Sequence, residues 1–313
     1  MTKFGPDNPT DTYIEHDFAE TQVDLGEVVM NCATAGNSDK PALLLIPSQT
    51  ESWWGYEKAM HLLADNFQVF AVDLRGQGRS TQTPGRYSLN TMGNDLVRFI
   101  SLVIKRPTFV SGLSSGGVLS AWLSAYSMPD TILGAVYEDP PLFAAELSPA
   151  MGQSIRQGAG PMFGMLHKYL GNQWSVGNWQ GLRAAADQEL PPTFATMFTR
   201  KGAAEVPQSI REYDPEWGFA FVSGNVGVNC DHASMLRQVK TPVLFTHHAR
   251  QINQADGALI GAISDEQARY VEELVTGSGQ SFTYLSFPEM PHSMHAADPE
   301  LFVNTISEWM TRT

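Results

Sequence analysis

The chain has 313 residues, of which 42% are hydrophobic and 17% are charged, and its formal net charge is −13. This composition excludes a disordered chain and favours a folded protein with a large apolar core. The negative charge argues against nucleic acid or an anionic membrane surface as a partner, because both would repel the chain. The length predicts one large α/β domain with an insertion rather than two complete domains.

Cysteine content and hydropathy bear on the cellular compartment. Cys32 and Cys230 are too few and too far apart to form a disulfide framework. The first residues have no apolar signal core, and no apolar run approaches the about 18 residues of a membrane span. We therefore expect a cytoplasmic protein.

Apolar runs typical of strands alternate with helical patterns along most of the chain. Strands are predicted at 22–25, 27–35, 41–47, 68–74, 108–110, 132–137, 242–246 and 281–287, and helices at 56–64, 89–104, 264–276 and 301–310. This alternation implies a mostly parallel sheet with helices on both faces. It is interrupted between 142 and 234, where the pattern is helical and rich in Met, Phe and Trp.

The most specific motif is Gly-x-Ser-x-Gly, formed by Gly112, Ser114 and Gly116. A β-branched run precedes it and a helical pattern follows, so the chain turns sharply at Ser114. Glycines are needed on both sides because strand and helix backbones come too close for a Cβ. Ser114 is then exposed over a helix N-terminus, which favours developing negative charge. The motif resembles the nucleophile elbow of α/β-hydrolases, whose fold we expect here.

That resemblance also gives the domain organisation. Residues 1–141 and 235–313 are expected to form the two parts of the α/β-hydrolase core, and residues 142–234 an inserted helical cap. Epoxide hydrolases and haloalkane dehalogenases of this fold need a carboxylate at the elbow, so Ser114 excludes them.

A serine nucleophile requires a base and an acid. His292 follows the last predicted strand and is favoured as the base over His295. The stretch after strand 242–246 contains no nearby carboxylate, so we place the acid after strand 132–137, at Asp139, with Glu138 as the alternative. An acid before two prolines could instead cap a turn. The order Ser, acid, His fits the fold.

Two backbone N–H groups are expected to stabilise the oxyanion. Ser115 follows the nucleophile and supplies one of them. The loop after strand 41–47 supplies the other, and its register points to Gln49. Generic hydrolases have His-Gly in this loop, whereas this chain has Pro47-Ser48-Gln49.

Two other patterns are not assigned a function. Arg75–Ser80 starts like a dinucleotide-binding loop, but Thr81 occupies the third glycine position, so a structural turn is predicted. His292, His295 and Asp298 imitate a metal-ligand set, but one short loop would have to supply every ligand. We expect neither a metal nor a cofactor.

Several longer stretches are similar to the zearalenone hydrolases, which open the macrocyclic lactone of a fungal resorcylate toxin. They are QVDLGEVVMN (22–31), NDLVRFI (94–100), EYDPEWG (212–218) and VKTPVLFTHHAR (239–250). That family takes its acid from after the sixth strand, as Asp139 does, and some members use glutamate, as Glu138 would provide. It also lacks His-Gly in the oxyanion loop. The resemblance implies that one or more of Trp174, Trp179 and Trp217 pack on the aromatic ring of the substrate.

The expected function is therefore hydrolysis of the ester bond of a small hydrophobic substrate, a macrocyclic lactone of the zearalenone type, through a Ser-His-Asp triad and an acyl-enzyme. A general carboxylesterase, a carbon–carbon hydrolase or a perhydrolase would use the same residues. A ligand receptor on the hydrolase fold is an alternative from another class, and it would turn over slowly or not at all. An inactive scaffold is disfavoured because each catalytic role has a candidate residue. The oligomeric state stays open, including a homo-oligomer.

Overall fold

The computed structural model describes residues 14–171, 178–190, 194, 195, 198, 207–252, 254, 257 and 259–313. Its core is a central β-sheet. Over those residues the sheet has eight strands in the order β1-β2-β4-β3-β5-β6-β7-β10. Its strands are β1 (Glu20–Asp24), β2 (Val29–Ala35), β3 (Ala42–Ile46), β4 (Gln68–Val72), β5 (Thr108–Leu113), β6 (Ile132–Glu138), β7 (Val243–His247) and β10 (Phe282–Ser286). A separate antiparallel hairpin consists of β8 (Gln251–Ile252) and β9 (Leu259–Ile260).

The sheet is antiparallel at one edge and parallel elsewhere. β1 and β2 form a hairpin, and β2 also runs antiparallel to β4. From β4 through β3, β5, β6 and β7 to β10, every neighbouring pair is parallel. The expected mostly parallel sheet is therefore confirmed. Its parallel strands have their carboxyl ends at one edge, where loops can bring side chains together.

Helices cover both faces of the sheet. The helices in the described residues, including those between β6 and β7, are α1 (Glu57–Leu63), α2 (Leu89–Phe99), α3 (Ser115–Tyr126), α4 (Arg156–Leu170), α5 (Trp179–Glu189), α6 (Gln208–Arg211), α7 (Pro215–Ser223), α8 (His232–Leu236), α9 (Asp265–Gly277), α10 (Met294–Ala297) and α11 (Pro299–Met310). Every residue of β3 is buried. Leu43 and Leu45 pack with Met60 and Trp309 in one apolar cluster, whereas Leu44 joins the larger cluster on the other side. This two-sided burial explains the uninterrupted apolar run.

Two predicted elements differ from the structure in extent. The helix predicted over 89–104 is an α-helix only to Phe99, and a π-helix over Ile100–Ile104 follows it. Lys105 ends this segment in the left-handed conformation, with φ +58°. The strand predicted to reach Leu74 ends at Val72, because the chain turns after Asp73, where the Gln77 N–H donates to the carbonyl of Leu74. Helix α10 and the β8–β9 hairpin carry no sequence pattern that predicts them.

The segment between β6 and β7 is helical in its described parts. Helix α4 packs against α5 and α7. The N-terminus of α7 is fixed to the core by Asp214, whose carboxylate accepts from the Tyr87 hydroxyl at 2.5 Å and whose backbone N–H donates to the carbonyl of Gly76. Among the described helices, none combines the length and apolarity needed to cross a membrane.

Candidate active site

Ser114 lies at the sharp turn between β5 and α3. Its backbone has φ +56° and ψ −118°, a conformation that non-glycine residues rarely adopt. A Cβ at Gly112 would lie 2.1 Å from the carbonyl oxygen of Gly116, and one at Gly116 would lie 2.3 Å from that of Ile46. Both glycines are therefore required by the close approach of strand, helix and loop. The N–H of Ser114 donates to the carbonyl of Glu138 at 2.8 Å, which ties the turn to the end of β6.

Asp139 and His292 form a hydrogen-bonded pair beside this turn. Oδ2 of Asp139 is 2.6 Å from Nδ1 of His292, and Oδ1 accepts from the backbone N–H of His248 at 3.0 Å. Asp139 is buried, whereas the His292 side chain keeps 48% of its surface accessible. Asp139, His292 and Ser114 all line one cavity.

The electrostatics of this pair favour a charged carboxylate. Burial opposes ionisation of Asp139, but the hydrogen bond and the charge of His292 outweigh it and hold the pKa of Asp139 below its ordinary value. Partial desolvation of the His292 ring likewise opposes its protonation, but the hydrogen bond and the charge of Asp139 raise the pKa of His292 above 6.5. The arrangement therefore stabilises an imidazolium at His292.

Glu138 serves a different histidine. Its Oε2 is 3.0 Å from Nδ1 of His295, and its Oε1 accepts from the backbone N–H groups of Met294 and His295 at 2.8 and 3.2 Å. Glu138 and His295 are both buried, and the His295 ring stacks on Tyr56 with ring centroids 3.8 Å apart. Of the two carboxylates considered from the sequence, the structure brings Asp139 to His292 and gives Glu138 to the loop that follows His292.

Strand geometry explains why these two carboxylates contact different histidines. Successive side chains of a strand point to opposite faces, and Glu138 is the last residue of β6. Asp139 continues the pairing, because its N–H donates to the carbonyl of Thr246, but its φ of +41° then turns the chain away. Adjacent residues therefore reach different partners.

The predicted oxyanion residues lie on the same cavity wall as Ser114. Gln49 and Ser115 both line the cavity. Ser115 is the first residue of α3, where backbone N–H groups have no partner within the helix. The Gln49 side chain donates to the Tyr213 hydroxyl at 2.7 Å, and the Gln77 side chain donates to the carbonyl of Ser48 at 2.7 Å. These two bonds fix the loop to Tyr213 and to the turn at Arg75–Ser80.

Sequence patterns did not reveal two neighbours of this group. His248 contributes its backbone N–H to Asp139, and its Nδ1 lies 2.9 Å from the carbonyl oxygen of His292. Glu51 lines the cavity and adds to the negative potential that raises the pKa of His292. His248 follows β7, the position at which many hydrolases of this fold carry their acid. This position in the sequence indicates that His248 lies near Asp139.

The cavity has a volume of about 1330 Å³ and a largely apolar wall. Trp217 is completely buried and lines it, and the Trp217 Nε1–H has no hydrogen-bond partner within the described residues. Trp179 packs its ring edge-on against Phe198 and is not among the side chains that line the cavity. Trp174 lies outside the described residues.

The loop at Arg75–Ser80 is packed within the protein by its own contacts. The Arg75 guanidinium forms two hydrogen bonds to Asp95, at 2.6 and 2.7 Å, in the interior. A Cβ at Gly78 would lie 2.0 Å from the Asp73 carboxylate, so this turn packs too tightly to leave room for a phosphate. In the part of the chain that the structure describes, no three His, Cys, Asp or Glu side chains are grouped to bind a metal ion.

Comparison with known proteins agrees with this architecture. Residues 41–163 match the family model described as the alpha/beta hydrolase fold. A crystal structure of the enol-lactonase from Burkholderia xenovorans LB400 superposes with a TM-score of 0.67, covering 93% of this chain and 100% of that chain at 16% identity. The chain has the α/β-hydrolase fold. A hydrolase from Pseudomonas aeruginosa PA01 superposes similarly, with a TM-score of 0.65, 18% identity, and coverage of 93% and 98%.

Sequence relatives of this chain match over shorter ranges. The 3-oxoadipate enol-lactonase 2 of Acinetobacter baylyi (strain ATCC 33305 / BD413 / ADP1) is 31% identical over 101 residues, which are 32% of this chain and 38% of the relative. The 2-(acetamidomethylene)succinate hydrolase of Mesorhizobium japonicum (strain LMG 29417 / CECT 9101 / MAFF 303099) is 27% identical over 143 residues, or 45% and 50% of the two chains. The chain thus spans half or less of the length of these relatives.

Proposed function

We propose that this α/β-hydrolase is a serine-dependent hydrolase of carboxylic esters and lactones. The observation that carries the proposal is the convergence of three groups on one cavity: Ser114 on a strained turn, and the Asp139–His292 pair beside it. Ser114 is the nucleophile, His292 the general base and Asp139 the acid that orients His292.

The first half of the reaction forms an acyl-enzyme. His292 takes the proton from Ser114 as the serine oxygen attacks the ester carbonyl carbon. Asp139 holds the imidazole with its proton on Nδ1, so that Nε2 is free to accept, and stabilises the imidazolium that results. The N–H groups of Gln49 and Ser115 stabilise the tetrahedral oxyanion. The carbon–oxygen bond then breaks, and His292 returns the proton to the leaving alcohol.

The second half releases the acid. Water gives a proton to His292 and attacks the acyl carbon, and the same N–H groups stabilise the second oxyanion. The bond to Ser114 breaks, the serine oxygen regains a proton from His292, and the carboxylic acid leaves. When the substrate is a lactone, alcohol and acid are parts of one product, so the net change is the addition of one water.

For the substrate, we propose a hydrophobic macrocyclic lactone of the zearalenone type. Its support is the resemblance over stretches of core and insertion, the enol-lactonase names of relatives, and the apolar cavity. Burying a mostly hydrocarbon ring contributes about 25 cal/mol for each Å² of apolar surface removed from water. Residues 142–234 then act as a cap, and Trp217 contributes to the wall of the cavity.

The test is incubation of zearalenone with the wild type, Ser114→Ala and Asp139→Asn, followed by mass spectrometry. We expect a ring-opened product, or its decarboxylated form, from the wild type and almost none from either variant. A serine-directed phosphonate should label the wild type at Ser114. Turnover retained by Ser114→Ala would refute the serine mechanism.

A second substrate tests ester hydrolysis independently of the proposed macrocyclic substrate. Hydrolysis of p-nitrophenyl acetate without hydrolysis of zearalenone would uphold the esterase and reject the macrocycle. Zearalenone binding with no turnover of either compound and no phosphonate labelling would favour the ligand receptor.

A further inference from the structure

The cavity extends well beyond the reacting groups along helix α3. Val118 and Tyr126 line it on the same helix that Ser114 precedes. Because an α-helix rises about 1.5 Å for each residue, Tyr126 lies about 18 Å along the axis from Ser114. The volume of 1330 Å³ exceeds the usual range of ligand pockets, roughly 300–1,000 Å³. The space therefore accommodates a substrate that reaches far beyond its ester group.

His232 supplies a polar group on the wall of this extension. It is the first residue of α8, which packs on α3, and only 3% of its surface is accessible. Its Nδ1 accepts a hydrogen bond from the backbone N–H of Phe143 at 2.9 Å. Since Nδ1 accepts, the ring proton of the neutral imidazole resides on Nε2. Within the described residues Nε2 has no partner, and the ring lines the cavity.

The surroundings of His232 determine which group it can receive. Burial lowers the pKa of His232 to about 4, so the ring is neutral near pH 7 and its tautomer is fixed by Phe143. The Glu146 carboxylate accepts from the His232 backbone N–H at 3.0 Å, and Asp231 precedes it. Hydrogen bonds from Ser234 hold the pKa of Asp231 below its ordinary value, so this residue is ionised. An anionic substrate group would be repelled here.

We propose that His232 is a specificity-determining residue, whose Nε2–H donates a hydrogen bond to an uncharged oxygen of the substrate, a carbonyl or hydroxyl remote from the ester. This assignment rests on the proposed esterase function. A buried donor left without a partner disfavours substrates that lack the acceptor, because its desolvation is not compensated. The preferred substrates are then long, mostly apolar esters with a neutral oxygen along the chain, and their ω-carboxylate counterparts are poor substrates.

The test compares p-nitrophenyl esters whose acyl chains increase in length, each with a plain methyl end, an ω-keto end or an ω-carboxylate end. The wild type should show a kcat/KM about tenfold higher for the keto ester than for the methyl ester at one or more chain lengths. His232→Asn should abolish this preference. The amide oxygen of asparagine can still accept from the Phe143 N–H, so the variant keeps the structural bond, whereas its shorter side chain withdraws the donor from the position of Nε2.

Two controls keep the outcome interpretable. His232→Asn should lose more activity on the keto esters than on p-nitrophenyl acetate, because the short ester carries no remote oxygen. Ser234→Ala removes a cavity-lining hydroxyl from the same helix and should preserve the keto preference. Equal losses of His232→Asn on short and long esters, or no keto preference of the wild type at any length, would overturn the assignment.

A binding measurement distinguishes this inference from the esterase proposal. The Ser114→Ala variant is titrated calorimetrically with long-chain diketones that mimic the esters, with and without His232→Asn. If no ester is hydrolysed, the proposed function fails, but a roughly tenfold weaker Kd of the double variant would still support His232 as the donor. An unchanged Kd would refute it.

Discussion

Replacement of Asp139 by asparagine should cost nearly all of the activity, for a reason visible in the hydrogen bonds. Oδ1 of Asp139 accepts from the backbone N–H of His248, and Oδ2 faces Nδ1 of His292. In Asp139→Asn the amide oxygen keeps the bond to His248, because an amide NH₂ there would face another donor. The NH₂ group therefore turns toward His292 and donates to Nδ1.

That donation places the remaining ring proton of His292 on Nε2, so the nitrogen that faces the substrate can no longer accept the serine proton. In serine proteases the same substitution lowers kcat by about 10⁴, and we expect a loss of that order here. The assay is steady-state hydrolysis of p-nitrophenyl acetate, with circular dichroism to verify folding.

Glu138→Gln is the matched control for this experiment. It changes a neighbouring buried carboxylate that contacts His295 and the N–H groups of Met294 and His295. We expect a lower Tm and a rate loss well below 10⁴-fold, because an amide can keep only part of these bonds. A nearly active Asp139→Asn together with a 10⁴-fold loss in Glu138→Gln would refute the assignment of the acid.

Three further predictions concern pH and packing. Since Asp139 raises the pKa of His292 above 6.5 and the base must be neutral, kcat/KM should fall with acid at a midpoint above pH 6.5; a midpoint below 6.5 would contradict this pairing. Burial raises the pKa of Glu212 from 4.5 to about 7, so its contribution to stability is full below pH 4.5 and is lost as pH rises through 7. In urea unfolding, Glu212→Gln should match the wild type at pH 4 and exceed it at pH 8 by up to about 3 kcal/mol, and a constant difference would argue against this titration. Gly116→Ala places a Cβ 2.3 Å from the carbonyl oxygen of Ile46 and should lower kcat at least about a hundredfold, whereas Gly164→Ala, with nothing within 4 Å, should be neutral; equal activity of the two variants would refute the packing argument.

The parts of the fold that depend on local pattern could be predicted from the sequence. The fully buried β3 appears as an uninterrupted apolar run, because a parallel strand is covered on both faces. The elbow at Ser114 was recognisable for a similar reason, since the glycines that allow the close approach are within two residues of it.

The contacts that depend on distant segments could not be predicted. Asp139 and Glu138 are adjacent in sequence, and only the direction of each side chain at the end of β6 determines which histidine it meets. The tautomer of His232 is set by the backbone of Phe143, which is 89 positions away. The helices between β6 and β7 also escaped prediction in detail, because their aromatic residues fit a buried core and a pocket wall equally well.

The end of β6 has a consequence for how this molecule can change. Two consecutive residues there accept the following hydrogen bonds. The carbonyl of Glu138 accepts from the Ser114 N–H, and the Asp139 carboxylate accepts from the His292 ring and from the His248 N–H. Ser114, Asp139 and His292 are thus held by the sheet and its own loops, whereas the segment at 142–234 contacts the site through Tyr213, whose hydroxyl accepts from the Gln49 side chain. Side-chain exchanges in that helical segment can consequently change substrate selectivity, while Ser114, Asp139 and His292 keep their relative positions.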